Sequence, residues 1–179
     1  MIVLLNGSFG VGKTTVARLM VARLPRAILF DPELIGFVLQ RITRVEDFQD
    51  LRLWRRLTIL GLRITRMFFR NVIVPMAISN PAYLEELRAG LLRFEPRVLH
   101  YCLIAPLDVI HERLRPRRVD ARGAAWQQRR AAECCVAHAA PEFAVHVPAH
   151  DRNAAAIADE LVSYTRDHAA HSLGSARRH

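Results

Sequence analysis

Short apolar runs alternate with longer segments of helical period along this chain. The runs predict strands at residues 2–5, 27–30, 72–74, 98–104 and 144–147. The periodic segments predict helices at 13–24, directly after Asp31, and at 51–70, 81–94, 107–114, 126–138 and 154–167. Strands joined through helices pair in parallel and are covered on both faces. The pattern therefore predicts an α/β fold with a doubly wound, parallel, five-stranded sheet.

The predicted helix at 51–70 carries an apolar stripe among many arginines. The stripe comprises Leu53, Leu57, Leu60, Ile64 and Met67. Such a pattern also describes a helix that lies in a membrane interface, which would make the protein a peripheral membrane partner. Because the helix falls between two predicted strands, we favour the interpretation in which the stripe covers the sheet.

Length and composition indicate one globular domain at residues 1–167. The chain has 179 residues, of which 51% are hydrophobic, and a domain of this size can bury a substantial core. Residues 168–179 lack an apolar period and are predicted to be a disordered tail. The first apolar run is too short for a secretory signal, and the three cysteines have no framework spacing. These features favour a cytoplasmic protein.

A P-loop (Walker A) pattern follows the first predicted strand. It reads Gly7-Ser8-Phe9-Gly10-Val11-Gly12-Lys13-Thr14, and Lys13 is the only lysine among 26 basic residues. Glycines let successive N–H groups turn inward, and the following helix directs its N-terminus at the same point. The sequence therefore predicts ATP as cofactor, with Lys13 as a catalytic residue. The predicted nucleotide-binding residues are Gly7, Ser8, Phe9, Gly10, Val11, Gly12, Lys13, Thr14 and Thr15.

Magnesium is expected with ATP, and Thr14 and Asp31 are its predicted ligands. Thr14 supplies the hydroxyl that a P-loop offers to Mg²⁺. Asp31 ends the second strand, where a carboxylate can hold the metal or accept a proton from an attacking hydroxyl. Asp31-Pro32 is also a good helix cap, and both roles are compatible. Glu33 is a weaker candidate, and no acid stands at residues 72–76, where many P-loop proteins place a metal ligand.

Arginines cluster near residues 115–123, between two predicted helices. In small kinases a mobile lid brings arginines over the triphosphate. Arg117 and Arg118 follow Pro116 and are predicted to be catalytic, whereas Arg113, on the preceding helix, is predicted to contact the nucleotide. A solvated basic loop is the alternative.

Two further groups are weaker candidates. Trp54 and Arg55, with Phe48 and Gln49 nearby, fit a pocket for an aromatic base, but Trp54 fits the core equally well. Cys134, Cys135 and His138 are close in sequence, yet adjacent cysteines point to different faces of a helix. We therefore interpret them as packing residues rather than zinc ligands.

The net charge of +9 raises the question of nucleic acid as a partner. The arginines are spread along the whole chain and are not interleaved with aromatic residues. Nucleic acid is therefore not the expected partner, and the charge suits a protein with polyanionic ligands.

Between residues 2 and 150 the chain resembles the tunicamycin resistance proteins, small P-loop proteins with a nucleoside- or shikimate-kinase-like fold. The matching segments are residues 6–14, Asp31-Pro32-Glu33, Gly36-Phe37, Asp47-Phe48-Gln49, Leu53-Trp54-Arg55, Ile73-Val74-Pro75-Met76, Pro81, Tyr83 and Arg113-Leu114-Arg115. The resemblance implies ATP binding and resistance to tunicamycin, a uridine-containing nucleoside antibiotic. It leaves open whether the drug is phosphorylated or held.

The sequence as a whole predicts a Mg-ATP-dependent phosphotransferase that acts on a nucleoside-like small molecule or on tunicamycin itself. The alternative is an ATP-dependent protein that sequesters the drug unchanged.

Overall fold

The computed structural model describes residues 1–45, 47–115 and 121–176. The strands are β1 (Ile2–Gly7), β2 (Ala27–Leu29), β3 (Asn71–Met76), β4 (Val98–Ile104) and β5 (His146–Pro148). The helices are α1 (Lys13–Arg23), α2 (Pro32–Thr43), α3 (Arg52–Phe68), α4 (Pro81–Leu92), α5 (Leu107–Leu114), α6 (Ala121–His138) and α7 (Ala154–Ala176). Two short 3-10 helices occupy Phe48–Asp50 and Pro141–Phe143.

The five strands form one parallel sheet in the order β2-β3-β1-β4-β5. The central strand β1 pairs with β3 on one side and with β4 on the other, and Leu5 lies opposite both Pro75 and Tyr101. The loop after β1 therefore leaves the middle of the sheet at its carboxyl edge, where open α/β sheets bind ligands. This architecture confirms the predicted fold class.

Alternate residues of β1 face two separate core layers. Val3 and Leu5 pack in a layer with residues of α1 and α7, whereas Ile2 and Leu4 pack with residues of α3 and α4. A strand that is buried on both faces needs a continuous apolar run, which explains the sequence Ile2-Val3-Leu4-Leu5.

The orientation of α3 corrects the sequence interpretation. Four of the five apolar positions expected to cover the sheet (Leu53, Leu60, Ile64 and Met67) are half exposed or more, and Leu57 is half-buried. The inner face instead presents Trp54, Arg55, Thr58 and Leu62. The hydrophobic period predicted the wrong buried face because that face contains polar side chains. The charge of the buried Arg55 is neutralised by an ion pair with Glu86.

Two helix boundaries also differ from the prediction. Helix α6 begins at Ala121 rather than near Trp126, so the end of the predicted lid, including Gly123, is helical. Helix α7 continues to Ala176, so most of the predicted disordered tail is helical. Alanine has the highest helix propensity, and the pair Ala169-Ala170 lies two residues beyond the predicted end.

No helix in the described ranges is both long and apolar enough to cross a membrane.

Candidate nucleotide site and the adjoining cavity

The loop between β1 and α1 has the geometry of an anion site. Gly12 directly precedes the first residue of α1. Its φ is +103°, a left-handed backbone conformation that residues other than glycine rarely adopt. No side chain in the described part of the protein caps the N-terminal N–H groups of α1. Uncapped donors and the positive end of the helix dipole together suit a phosphate group.

Gly7 is required by close packing at the start of this loop. A Cβ atom at Gly7 would lie 2.8 Å from Cγ1 of Val11 and 3.0 Å from the carbonyl oxygen of Leu103. The contact with Leu103 would move the start of the loop away from β4, and the contact with Val11 would displace a side chain of the loop itself. The sequence pattern identified this glycine, and the structure supplies the reason for it.

Lys13 lies folded over the loop and is only 8% exposed. Its ammonium donates to the Ser8 carbonyl oxygen at 3.4 Å and lies 5.0 Å from the centroid of the Phe9 ring. The Ser8 hydroxyl donates to the carbonyl oxygen of Ala131 in α6 at 3.2 Å. A hydrogen bond thus joins the loop to α6, and the Lys13 ammonium lies against the backbone of the loop.

Arg113 lies against the same loop from α5. Its guanidinium donates to the carbonyl oxygen of Val11 at 3.3 Å and to that of Ala149 at 3.1 Å. The predicted nucleotide contact of Arg113 stays a prediction, but the side chain reaches the loop. Arg117 and Arg118, the predicted catalytic arginines of the lid, lie outside the described residues.

The predicted metal ligands lie at the start of two helices. Thr14 and Thr15 are exposed in the first turn of α1. Asp31 is the N-cap of α2, and its Oδ1 accepts a hydrogen bond from the Glu33 backbone N–H at 3.0 Å. The capping role of Asp31 is therefore present in the structure. A hydroxyl and a carboxylate are oxygen donors of the kind Mg²⁺ prefers, so both residues fit this metal, with water and phosphate completing its shell.

Glu33 has features that its sequence position did not reveal. Its Oε1 is buried and has no hydrogen-bond partner in the described ranges. Burial raises the pKa of the Glu33 carboxyl, the charge of Lys13 opposes that shift, and Asp31 and Asp47 add to it. A buried oxygen without a partner is costly and uncommon, and here it lies within the electrostatic reach of the P-loop lysine. Glu33 is thus a stronger candidate than the sequence suggested.

A polar cavity of about 470 Å³ has Trp126 in its wall, and the ring of this residue contacts Phe9 of the P-loop. It lies between the 3-10 helix Phe48–Asp50, the segment that leads into α4, and α6. Its walls include Asp47, Gln49, Asp50, Tyr83, Trp126, Arg130 and Glu133. A cavity with several converging polar groups and two aromatic rings is typical of a small-molecule site.

One wall of the cavity is connected to both the P-loop and the opposite wall. The Trp126 ring lies edge-on to Phe9, with 5.4 Å between the centroids. Arg130 forms ion pairs with Asp47 at 3.0 Å and with Glu133 at 2.7 Å. Helix α6 therefore connects the loop that would hold phosphate to the cavity beside it.

The opposite wall is fixed by a second group of contacts. The Tyr83 hydroxyl donates to Oδ1 of Asp50 at 3.0 Å, and the Arg55 guanidinium stacks 4.1 Å from the centroid of the Tyr83 ring. Gln49 donates to the carbonyl oxygen of Ala77 at 3.1 Å. Of the four residues considered for a base pocket, Gln49 is the one that lines the cavity.

Trp54 belongs to the core. It is 1% exposed, its indole N–H donates to the Pro32 carbonyl oxygen at 2.9 Å, and its ring contacts Phe48 with centroids 5.2 Å apart. The tryptophan that lines the cavity is Trp126, which the sequence pattern placed only at the start of a helix. A tryptophan near an arginine pair (Arg129-Arg130) was the available signal.

The cysteine and histidine residues of α6 face backbone carbonyl groups. His138 donates from Nε2 to the carbonyl oxygen of Ile78 at 2.7 Å, and Cys134 Sγ lies 3.9 Å from that of Ala77. Cys135 lies near Ala105 instead. The described residues contain no group of three or more side chains arranged to hold a metal ion.

Comparison with solved structures identifies the class. A gluconokinase from Sinorhizobium meliloti is 14% identical, with a TM-score of 0.64 and coverage of 99% of this chain and 97% of the other. A shikimate kinase from Bacteroides thetaiotaomicron is 16% identical, with a TM-score of 0.58 and coverage of 93% and 97%. The fold is therefore that of the small P-loop kinases.

A more similar structure shows the family. The tunicamycin resistance protein of Deinococcus radiodurans is 30% identical, with a TM-score of 0.70, and the match covers 91% of this chain and 94% of the other. This chain belongs to the tunicamycin resistance protein family, which confirms the resemblance noted in the sequence. No family model and no curated protein matches the chain.

Proposed function

We propose that this protein transfers the γ-phosphoryl group of Mg-ATP to a hydroxyl of a nucleoside-like small molecule, with tunicamycin as the first acceptor to test. The observation that carries the proposal is the buried, unpartnered Oε1 of Glu33, held within the electrostatic reach of Lys13. A carboxyl whose pKa is raised by burial next to a specific charged partner is a candidate for an active-site role.

The nucleotide phosphates would lie on the N-terminus of α1. Their partners would be the backbone N–H groups of the loop at residues 7–15 and the Lys13 ammonium. Thr14 and Asp31 would hold Mg²⁺, which neutralises charge on the β- and γ-phosphates when it is bound. Arg113, together with Arg117 and Arg118 beyond the described residues, would neutralise the charge that develops during transfer.

Glu33 or Asp31 would accept the proton of the acceptor hydroxyl. As the hydroxyl oxygen bonds to the γ-phosphorus, the bond from phosphorus to the β,γ-bridging oxygen breaks, ADP leaves, and the hydroxyl proton moves to a carboxylate oxygen. Burial raises the pKa of the Glu33 carboxyl, and the higher proton affinity suits its carboxylate to accept the hydroxyl proton. Asp31 already uses Oδ1 as a helix cap, which leaves its Oδ2 for the metal.

The acceptor would occupy the polar cavity next to the P-loop. Asp47 and Asp50 are suited to accept hydrogen bonds from sugar hydroxyls, and Trp126 is suited to stack on an aromatic base. The name of the Deinococcus relative supports tunicamycin as the ligand. The charge on Arg130 is offset by Asp47 and Glu133, so the cavity favours a neutral acceptor over an acidic one.

Acceptor-dependent release of ADP tests this proposal. Purified protein with Mg-ATP should release ADP faster when tunicamycin is present, and shikimate, an acidic polyol, should have no such effect. Lys13→Ala should abolish the increase. Equal ADP release with and without acceptor would contradict phosphotransfer.

Sequestration of the drug is the second candidate, and one observation favours it. Strand β3 ends with Pro75 and Met76, so no carboxylate stands where many P-loop enzymes hold their metal. A protein of this kind would bind tunicamycin in the presence of ATP without acceptor-dependent ADP release. Equilibrium dialysis with the drug, run beside the ADP assay, separates the two functions.

A further inference from the structure

One ion pair among the described residues joins helix α6 to the opposite wall of the polar cavity. Arg130 of α6 lies 3.0 Å from Asp47, which directly precedes the 3-10 helix Phe48–Asp50. The other ion pairs that α6 forms in the described ranges, from Arg129 and Arg130 to Glu133, stay within the helix. Charged contact between the two walls therefore depends on Arg130 and Asp47.

The Arg130 guanidinium is held by carboxylates at both of its terminal nitrogens. Its Nη2 pairs with Asp47, and its Nη1 donates to Glu133 at 2.7 Å. The Nε atom is buried and has no hydrogen-bond partner in the described ranges. Hydrogen bonds between charged groups are stronger than neutral ones, so the two carboxylates determine where the side chain lies. The charge of Arg130 is used within the protein.

Partial burial distinguishes this ion pair from the others of α6. The side chains of Arg130 and Asp47 are 14% and 25% exposed, whereas those of Arg129 and Glu133 are 66% and 47% exposed and lie 4.0 Å apart. Exposed ion pairs contribute little because water and salt screen them. The contact of Arg130 with Asp47 is screened less, which makes it the stronger connection.

Asp47 links this ion pair to a residue that lines the cavity. Its Oδ2 takes part in the pair with Arg130, and its Oδ1 accepts a hydrogen bond from the Gln49 backbone N–H at 2.9 Å. From the other side, Arg55 donates to the Gln49 carbonyl oxygen at 2.5 Å. The backbone of Gln49 is therefore held between two arginine-dependent contacts, and loss of the ion pair removes the support on the side of α6.

We propose that Arg130 is a positioning residue for the acceptor: its ion pair with Asp47 keeps Trp126 and Gln49, on opposite walls, at the separation that fits the acceptor. The inference rests on the proposed function, since the acceptor is the molecule that the cavity would hold. Trp126 lies four residues before Arg130, about one helical turn. The pair therefore acts on the part of α6 that carries the stacking ring.

ATP binding should not depend on this ion pair. The P-loop is joined to α6 by the hydrogen bond from Ser8 to Ala131 and by the ring contact of Phe9 with Trp126. Arg130 takes part in neither contact. Loss of its side chain should therefore affect the acceptor and spare the nucleotide.

Steady-state kinetics with tunicamycin as the acceptor test the proposal. Arg130→Met should raise the KM for tunicamycin at least about tenfold, while kcat and the KM for ATP stay within about threefold. General damage to the fold would alter all three constants. Arg130→Lys keeps the charge and should stay within about threefold of the parent in each constant. An unchanged KM for tunicamycin in Arg130→Met, or an equal rise in the KM for ATP, would overturn the proposal.

A matched control and a double variant separate the ion pair from charge in general. Arg129→Met removes an equal charge from the same helix and should leave the KM for tunicamycin within about threefold of the parent. Asp47→Asn should raise this KM, and its combination with Arg130→Met should raise it no further than the more damaging single change, because the pair can be broken only once. Fully additive losses, or equal losses in Arg129→Met, would contradict the proposal.

Hydrogen exchange without acceptor separates failure of this inference from failure of the proposed function. If the parent protein neither releases ADP in response to tunicamycin nor binds it, the proposed function fails. The backbone amides of Gln49 and Asp50 both donate to Asp47. They should exchange at least about fivefold faster in Arg130→Met and at the parent rate in Arg129→Met. Equal exchange in the parent and in Arg130→Met would overturn the role of the ion pair, whatever the acceptor is.

Discussion

The ring of Phe9, in the middle of the P-loop, packs edge-on against the indole of Trp126, with 5.4 Å between the ring centroids. Phe9 also lies under the Lys13 ammonium, and Trp126 lines the polar cavity. One aromatic contact therefore joins the two halves of the proposed reaction site. A change in the conformation of the loop on nucleotide binding should therefore alter the surroundings of Trp126 in the cavity wall.

Tryptophan fluorescence should report this coupling. The chain has two tryptophans, Trp126 at the cavity and Trp54 in the core. Adding Mg-ATP should change the emission because phosphate binding reorganises Phe9 and Lys13 next to Trp126. The change should persist in Trp54→Phe and disappear in Trp126→Phe. A response that depends on Trp54 instead would show that the coupling does not run through Phe9.

Replacing the P-loop lysine should weaken nucleotide binding. Lys13→Ala should lower ATP affinity at least tenfold, about 1.4 kcal/mol, because the side chain supplies the one cation held by the loop itself. Arg18→Ala, five residues further along α1 and exposed, is the control. Calorimetry measures both affinities, and circular dichroism checks the fold. Unchanged affinity in Lys13→Ala would refute the assignment of the site.

The two carboxylates at the start of α2 should have separable effects. Glu33→Gln should leave ATP affinity within a few-fold and lower turnover roughly a hundredfold or more, because an amide cannot accept the proton. Asp31→Asn should lower turnover and also raise the Mg²⁺ concentration needed for half-maximal rate. Steady-state rates measured over a range of Mg²⁺ concentrations distinguish the two variants. If Asp31→Asn only lowers the melting temperature, Asp31 is a cap and nothing more.

Acid should destabilise the protein through its buried histidines. Burial lowers the pKa of His138 to about 4 from its ordinary 6.5, and that of His100 likewise to about 4. Between these values the unfolded chain binds protons that the folded protein does not. The contribution of these two histidines to stability is therefore complete above pH 6.5 and is lost as the pH falls toward 4, by about 1.4 kcal/mol for each unit of pKa shift.

The slope of stability against pH tests this origin. His138→Gln removes one of the buried titrating groups, so its free energy of unfolding should vary less between pH 6.5 and 4 than that of the parent. His150→Gln, at an exposed position, should keep the parent's slope. Denaturant unfolding at several pH values gives the comparison. Identical slopes in all three proteins would assign the acid sensitivity to other groups.

The elements that sequence analysis predicted well have strong local signals. Strands β1 and β3 are buried on both faces and contain apolar runs, and the P-loop has a fixed residue pattern that follows the central strand. The N-cap role of Asp31 was also predictable, because an Asp-Pro pair favours the start of a helix through interactions within its first turn. Such features depend on near neighbours in the chain.

The sequence predictions failed where contacts between residues far apart in the chain determine how a helix or side chain is oriented. Helix α3 buries Arg55 because Glu86 neutralises it and Tyr83 stacks on it, and neither partner is near in sequence. The importance of Glu33 likewise depends on Lys13, 20 positions earlier along the chain, and on Asp47. Trp126 was overlooked because its contact with Phe9 exists only once α6 folds over the loop.

The mass of the acceptor after reaction tests the central claim most directly. Tunicamycin is incubated with Mg-ATP and parent protein, and in parallel with Glu33→Gln, and is then recovered for mass spectrometry. Phosphotransfer predicts that the drug gains the mass of one phosphoryl group with the parent protein and much more slowly with the variant. Recovery of unmodified drug from the parent reaction, under conditions in which the protein binds both ATP and tunicamycin, would contradict phosphotransfer and assign the protein to sequestration.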